Sequence, residues 1–257
     1  MYDDYNTRPS AFFSETTWYS EYLVFGLILI MLRVIISKNY KLFLVLPLFI
    51  LGIILSATRN SYLGLLVYLV LSLLFIFANQ KINIKMYINK YTVLIVVFIV
   101  LSFISLKEYV MPYIELTIDK FYLKDASGLG RIDAFYMSIE DVMVNPIFGQ
   151  GFYWDTSMST DTGTAVGAKS FNLFFMILHI FGFFGFLAFL LLILYYYLNS
   201  IARYIKTRSV FIKYSIIIFT IFLTMSMFAP LHQYPFGMYI IALSLYLYRL
   251  VDVWRRV

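Results

Sequence analysis

Phe171 to Leu198 reads FNLFFMILHIFGFFGFLAFLLLILYYYL, twenty-eight residues without one charged side chain. A helix rises about 1.5 Å per residue, so about 20 apolar residues cross the hydrocarbon core of a bilayer, and this run is long enough to tilt or to project beyond the lipid. Apolar runs of the same character lie on both sides of it, near Ser20 to Ile36, Leu42 to Ala57, Ser61 to Ala78, Tyr91 to Leu106, Tyr214 to Ala229 and Gly237 to Val251. Several are shorter than a full span, which flanking Lys, Arg and Tyr absorb by snorkelling or by local thinning of the bilayer. The expected fold is all-α: a polytopic integral membrane protein of about seven transmembrane helices, with residues 1–257 forming one transmembrane domain.

Composition agrees with that reading, since 62% of the residues are hydrophobic and 13% charged, against about 25% charged in an average soluble chain. The 23 Tyr and 26 Phe suit the aromatic belts at membrane interfaces. The absence of cysteine excludes disulfides and leaves the redox compartment open. Met1 to Trp18 is polar and acidic, unlike a cleavable signal peptide.

Basic residues orient the helices, because Lys and Arg near helix ends are retained on the cytoplasmic side. With the N-terminus outside, thirteen of the twenty Lys and Arg fall inside, clustered at 33–41, 81–90, 203–213 and 249–256, and seven fall outside. The protein is therefore expected in the cytoplasmic (inner) membrane, with the long polar stretch Lys107 to Ser170 as an extracytoplasmic loop. Neither ATP nor nucleotide sugars are available on that side. A synthetic reaction there needs a donor activated inside and carried across, which points toward a lipid-linked substrate. An outside N-terminus without a signal peptide implies either a first helix inserted as a reverse anchor or further helices upstream.

Within the loop, Ile114, Ile118 and Phe121 recur at helical spacing after Pro112, which predicts an amphipathic helix on the outer interface. Asp125-Ala126-Ser127-Gly128-Leu129-Gly130 breaks it. A second amphipathic helix starts near Arg131, with Ile132, Phe135, Ile139, Val142 and Met143 opposite Asp133, Glu140, Asp141 and Asn145. Asn145-Pro146 ends it, and Gly149 and Gly151 open a turn into Phe152-Tyr153-Trp154. The Ser-, Thr-, Gly- and Ala-rich run to Lys169 is expected to be mobile unless a substrate orders it.

Two arginines stand out. Arg131 sits at a glycine-flanked helix start, where backbone N–H groups favour an anion and a guanidinium adds a bidentate clamp on phosphate. The other reading of it is a solvated arginine touching lipid headgroups. Arg59 lies in Ser56-Ala57-Thr58-Arg59-Asn60-Ser61, a tight turn between two apolar spans. A cation so close to hydrocarbon is costly unless it is paired, faces a cavity or snorkels to the headgroups. Phe152, Tyr153 and Trp154 either stack on sugar faces or join the interfacial belt. The basic loop Arg203 to Lys213 reads as an inside anchor near anionic lipid and not as a nucleic-acid site. No nucleotide loop, metal-ligand cluster or nucleophile elbow is found.

Taken in order, these segments resemble the O-antigen ligase and O-antigen or capsule polymerase (Wzy-type) family. Arg8 to Glu15 followed by Tyr19 to Leu23 is similar to the stretch entering a family helix, and Ser56 to Gly64 to its Ser-x-x-Arg turn. Gly130-Arg131-Ile132-Asp133 with Asn145-Pro146-Ile147-Phe148-Gly149-Gln150-Gly151 is similar to its Gly-Arg-x-(acid) helix ending in Pro-x-x-Gly-x-Gly. Asn172-Leu173-Phe174 and Phe181-Gly182-Phe183-Phe184-Gly185 resemble its His-Asn-x-(aromatic) helix start and its glycine pair. The family's histidine falls on Phe171, which cannot take a proton, and family members usually carry more helices upstream, so the chain resembles the family's C-terminal portion.

The resemblance implies transfer of an oligosaccharide from a polyprenyl pyrophosphate, such as undecaprenyl pyrophosphate, onto a sugar hydroxyl, without cofactor or metal. Polymerisation of repeat units is preferred; a ligase, a flippase for lipid-linked glycans and a non-catalytic remnant are the alternatives. Arg131 and Arg59 are the expected clamp on the leaving diphosphate. Asp133, Glu15, His232 and His179 are the candidate bases, three of them with a structural alternative: helix start for Asp133, surface histidine for His232, buried and satisfied histidine for His179. Phe152, Tyr153, Trp154 and Asn172 are the expected substrate contacts. The implied partners are the lipid-linked glycan, the bilayer, and chain-length regulators or other assembly proteins.

Overall fold

A computed structural model describes residues 16–78, 111–112, 115, 118, 136, 139–140, 142–151, 172–228 and 235–254. Every regular element among them is helical. The chain divides into two compact units, Met1–Tyr122 and Leu123–Val257.

In the first unit, α1 (Thr16–Ser37) packs against α2 (Leu46–Ser56) and α3 (Arg59–Ala78). Small residues bring α1 and α2 together. A Cβ on Gly26 would stand 2.5 Å from Phe49 Cε1, and one on Gly52 would stand 2.6 Å from Leu23 Cδ1. Lipid tails are as apolar as leucine, so close van der Waals fit of this kind, a side chain seated on a glycine, holds membrane helices together. The outer side of α3 carries Leu66, Leu69, Leu73 and Phe77, all exposed as lipid-facing residues are.

The apolar run at Leu42 to Ala57 is not a single α-helix. Tyr40–Val45 is 3₁₀, and α2 begins only at Leu46. The cause is Pro47, which has no N–H with which to continue an α ladder toward Phe43; Leu46 N–H instead closes a tighter turn onto the Phe43 carbonyl. Ala57 ends α2 in the left-handed region, at φ 48°, with its N–H on Ile54 O. An L-residue is strained there, so Ala57→Gly is expected to stabilise the unit by about 0.5 kcal/mol, read as a small rise in the unfolding midpoint of the purified protein in detergent.

In the second unit, α4 (Leu173–Thr207), α5 (Val210–Ser226) and α6 (Pro235–Trp254) pack in sequence order. α5 is the most enclosed, with Ile212, Ile217, Ile221, Phe222 and Met225 buried. Hydroxyl groups tie the three helices: Tyr196 and Ser215 lie 2.6 Å apart, Ser215 donates to Ser244 O at 2.6 Å, and Tyr197 pairs with Thr220 at 2.7 Å. The Arg203 guanidinium sits 4.6 Å from the Tyr248 ring centre.

The basic stretch expected as a loop from Arg203 to Lys213 is instead mostly helix. α4 continues through Arg203 and Lys206 to Thr207, only Arg208 and Ser209 connect to α5, and Lys213 lies within α5. Lys and Arg are good helix formers and favour a C-terminal turn, so the end of the apolar run does not end the helix. Arg208 ends it, at φ 52° with its N–H on Tyr204 O.

Three helices are long and apolar enough to cross a membrane, Thr17–Ser37, Arg59–Ala78 and Leu173–Thr207, and shorter apolar helices cover Tyr40–Ser56, Val210–Ser226 and Pro235–Leu250. The protein is a helical membrane protein. The expected span Tyr91 to Leu106 lies outside the described residues.

Candidate functional site

Arg59 is the first residue of α3 and is half-buried, while its neighbours Thr58, Asn60 and Ser61 are buried. Four hydroxyls meet beside it, one from each of α1, α2 and α3 and one from the turn between α2 and α3. Thr58 Oγ1 is the hub, 2.6 Å from Ser20 Oγ on α1, 3.2 Å from Ser56 Oγ on α2 and 2.8 Å from Ser61 Oγ on α3. Ser61 Oγ also donates to Ser20 Oγ, and Ser56 Oγ donates to Ile53 O at 2.7 Å. The Ser-x-x-Arg turn is thus a knot that fixes where α3 starts.

Isosteric Thr58→Val removes the hub and leaves three buried hydroxyls short of a partner. A cost of about 1–3 kcal/mol is expected, read as a lower unfolding midpoint in detergent. Ser56→Ala removes one peripheral contact and is expected to cost less than half as much.

The carboxylate of Glu21, next to Ser20 on α1, is 1% exposed and accepts a hydrogen bond from Asn60 Nδ2 at 2.6 Å. Glu21 is not among the site residues expected from the sequence. The signal was available: an acidic residue within an apolar helix is costly enough to be a site hypothesis by default.

In the second unit the turn that follows the loop helix meets α4 chiefly through backbone. The helix seen at Tyr136, Ile139, Glu140 and Val142 to Val144 ends at Asn145, as Pro146 requires, and a turn follows. Gly149 and Gly151 adopt φ 75° and 74°, the turn-opening conformation expected of them. Ile139 and Val142 of the expected apolar stripe are half-buried and Met143 is exposed, while Ile132 and Phe135 lie outside the described residues.

The turn is seated in a break of α4. Gly182, at φ 64° and ψ −166°, interrupts the helix and frees the carbonyls before it and the amides after it. Gln150 N–H donates to His179 O at 2.8 Å and Gly151 N–H to Ile180 O at 3.0 Å. On the far side, Phe183 N–H donates to Pro146 O at 2.8 Å and Phe184 N–H to Ile147 O at 3.4 Å. In hydrocarbon an irregular backbone persists only where protein satisfies it, and here the turn supplies both missing donors and missing acceptors. The fit is tight: a Cβ on Gly149 would stand 2.5 Å from Gly182 N, and one on Gly182 would collide with Gly149 N and Ile147 O. Phe148 and Phe184 add a ring contact at 5.9 Å.

Asn172, expected to touch substrate, caps α4: its Oδ1 accepts from Phe174 N at 2.8 Å and Phe175 N at 3.4 Å. His179 is half-buried, three residues before the break. Arg131, Asp133, Glu15, His232, Phe152, Tyr153 and Trp154 lie outside the described residues, as does the stretch expected to be mobile. In the chain, the turn at Asn145–Gly151 begins fourteen residues after Arg131 and ends directly before Phe152.

No curated protein and no solved structure matches the chain. A family model described as O-antigen ligase matches residues 42–193, more than half of the chain. That range takes in Arg59 with Ser56, Thr58 and Ser61 of the knot, the loop, and the break at Gly182 with the turn seated in it, so the chain belongs to the O-antigen ligase family.

Proposed function

We propose that this protein polymerises polyprenyl-diphosphate-linked oligosaccharide repeat units into a surface polysaccharide, O-antigen or capsule, at the outer face of the cytoplasmic membrane. The observation that carries the reading is the family match, which spans both the Arg59 turn and the Gly130-Arg131 segment. The seven-span topology, the extracytoplasmic side of residues 107–170 and their role as substrate loop belong to the proposal. They are supported by the distribution of Lys and Arg.

In the reaction proposed, an acceptor sugar hydroxyl attacks the anomeric carbon of the donor. The bond from that carbon to the diphosphate oxygen breaks, and the hydroxyl proton passes to a base. Charge develops on the departing diphosphate, where preorganised cations are most effective. Arg59 and Arg131 are assigned that clamp, with no metal required. The base is drawn from Asp133, Glu15 and His232, within hydrogen-bond reach of the acceptor. Phe152, Tyr153 and Trp154 are assigned to sugar stacking, and Asn172 to substrate binding at the helix start that it caps.

Ligase-type transfer of glycan to a different acceptor is the second reading, favoured by the description of the matched family. Expression in a host deleted for its own matching polymerase separates the two. Polymerase activity restores a ladder of polymer lengths; ligase activity adds preformed glycan without a new ladder. Arg59→Ala and Arg131→Ala are expected to leave single units, and normal ladders from both variants overturn the clamp.

A further inference from the structure

We infer that Glu21 is a positioning residue for Arg59, acting through Asn60. Two consecutive residues of α1 grip the first turn of α3. Ser20 holds Thr58 and Ser61, and Glu21 holds Asn60 across thirty-nine positions of chain. Of the four residues 58 to 61, three are thereby buried against α1, and Arg59 is the one left half-buried.

Asn60 is 3% exposed, and its Oδ1 has no hydrogen-bond partner. Among the described residues the Glu21 contact is therefore the side-chain hydrogen bond that orients the amide. Glu21 lies outside residues 42–193, so the family match does not assign it a role.

The inference rests on the clamp reading of Arg59, and its test is read without activity. The chain contains no cysteine, so Arg59→Cys introduces a single thiol. Its labelling by a water-soluble maleimide is measured on the purified full chain in lipid nanodiscs, where sidedness does not enter. Adding Glu21→Ala is expected to change the labelling rate at least threefold. Adding Glu21→Gln, which keeps the acceptor oxygen, is expected to leave it within that limit. If Glu21→Ala does not accumulate, Asn60→Ser, too short to reach the carboxylate, carries the same test.

A change below threefold with Glu21→Ala or its substitute overturns the inference, as does a shift of threefold or more with Glu21→Gln. Ladder assays on chains without the introduced cysteine separate this failure from that of the clamp. A shifted labelling rate with normal ladders from Arg59→Ala removes the clamp and leaves the positioning. Lost ladders from Arg59→Ala with an unmoved labelling rate do the reverse.

Discussion

Gly182→Ala is expected to destabilise the second unit by about 3 kcal/mol or more. At φ 64° and ψ −166° the residue occupies a region that is essentially glycine's alone, which by itself costs a side chain about 1–3 kcal/mol. The new Cβ would also meet backbone atoms of Gly149 and Ile147, which cannot rotate away as a side-chain tip can. Moving them apart breaks the bonds on which His179 O, Ile180 O, Phe183 N and Phe184 N depend. Each such bond contributes about 1 kcal/mol net, and an orphaned group in hydrocarbon costs more.

A glycine series isolates the cause. Gly149→Ala is expected to approach the same loss, because it faces the same backbone. Gly151→Ala has the same strained φ but nothing within 4 Å of its Cβ, so a cost of about 1 kcal/mol is expected. Detergent unfolding of the three purified variants, with membrane accumulation alongside, checks the order. Equal losses at Gly182 and Gly151 would show that the docked turn adds nothing beyond local strain.

Arg59→Ala is expected to lower the rate of ladder formation by about 10²–10³, the usual effect of removing one preorganised donor from a developing oxyanion. Arg59→Lys tests the geometry within that loss. It retains the charge and gives up the planar fork, so a loss of about tenfold is expected, corresponding to about 1.4 kcal/mol. Time courses of polymer formation in the deleted host, normalised to protein in the membrane, supply the measurement. A lysine variant as inactive as alanine assigns Arg59 to bidentate contact; one as active as wild type reduces it to a point charge.

The helical membrane class was legible in runs such as Phe171 to Leu198, because the length of an apolar run and the thickness of a bilayer are directly comparable. The segment ending at Asn145-Pro146 and the positive φ of Gly149 and Gly151 were legible for the same local reason: proline and glycine restrict or permit backbone angles wherever they stand. Helix ends at basic residues were less legible. Arg203 and Lys206 mark the edge of the apolar run, but helix continues past them because charge does not disrupt a ladder.

The chain order alone established an apolar helical protein, the position of Arg59 at a turn, and the pair of glycine motifs that carry the family pattern. It was the tertiary structure that decided what those motifs are for. Gly149 and Gly182 are thirty-three positions apart in the chain and require each other, because each leaves room for the other's backbone. Glu21 and Asn60 pair across a similar distance, and Asn172 proves to be a cap. Periodicity and composition are properties of neighbours in sequence, whereas a hydrogen bond between distant residues exists only once the chain has folded back on itself.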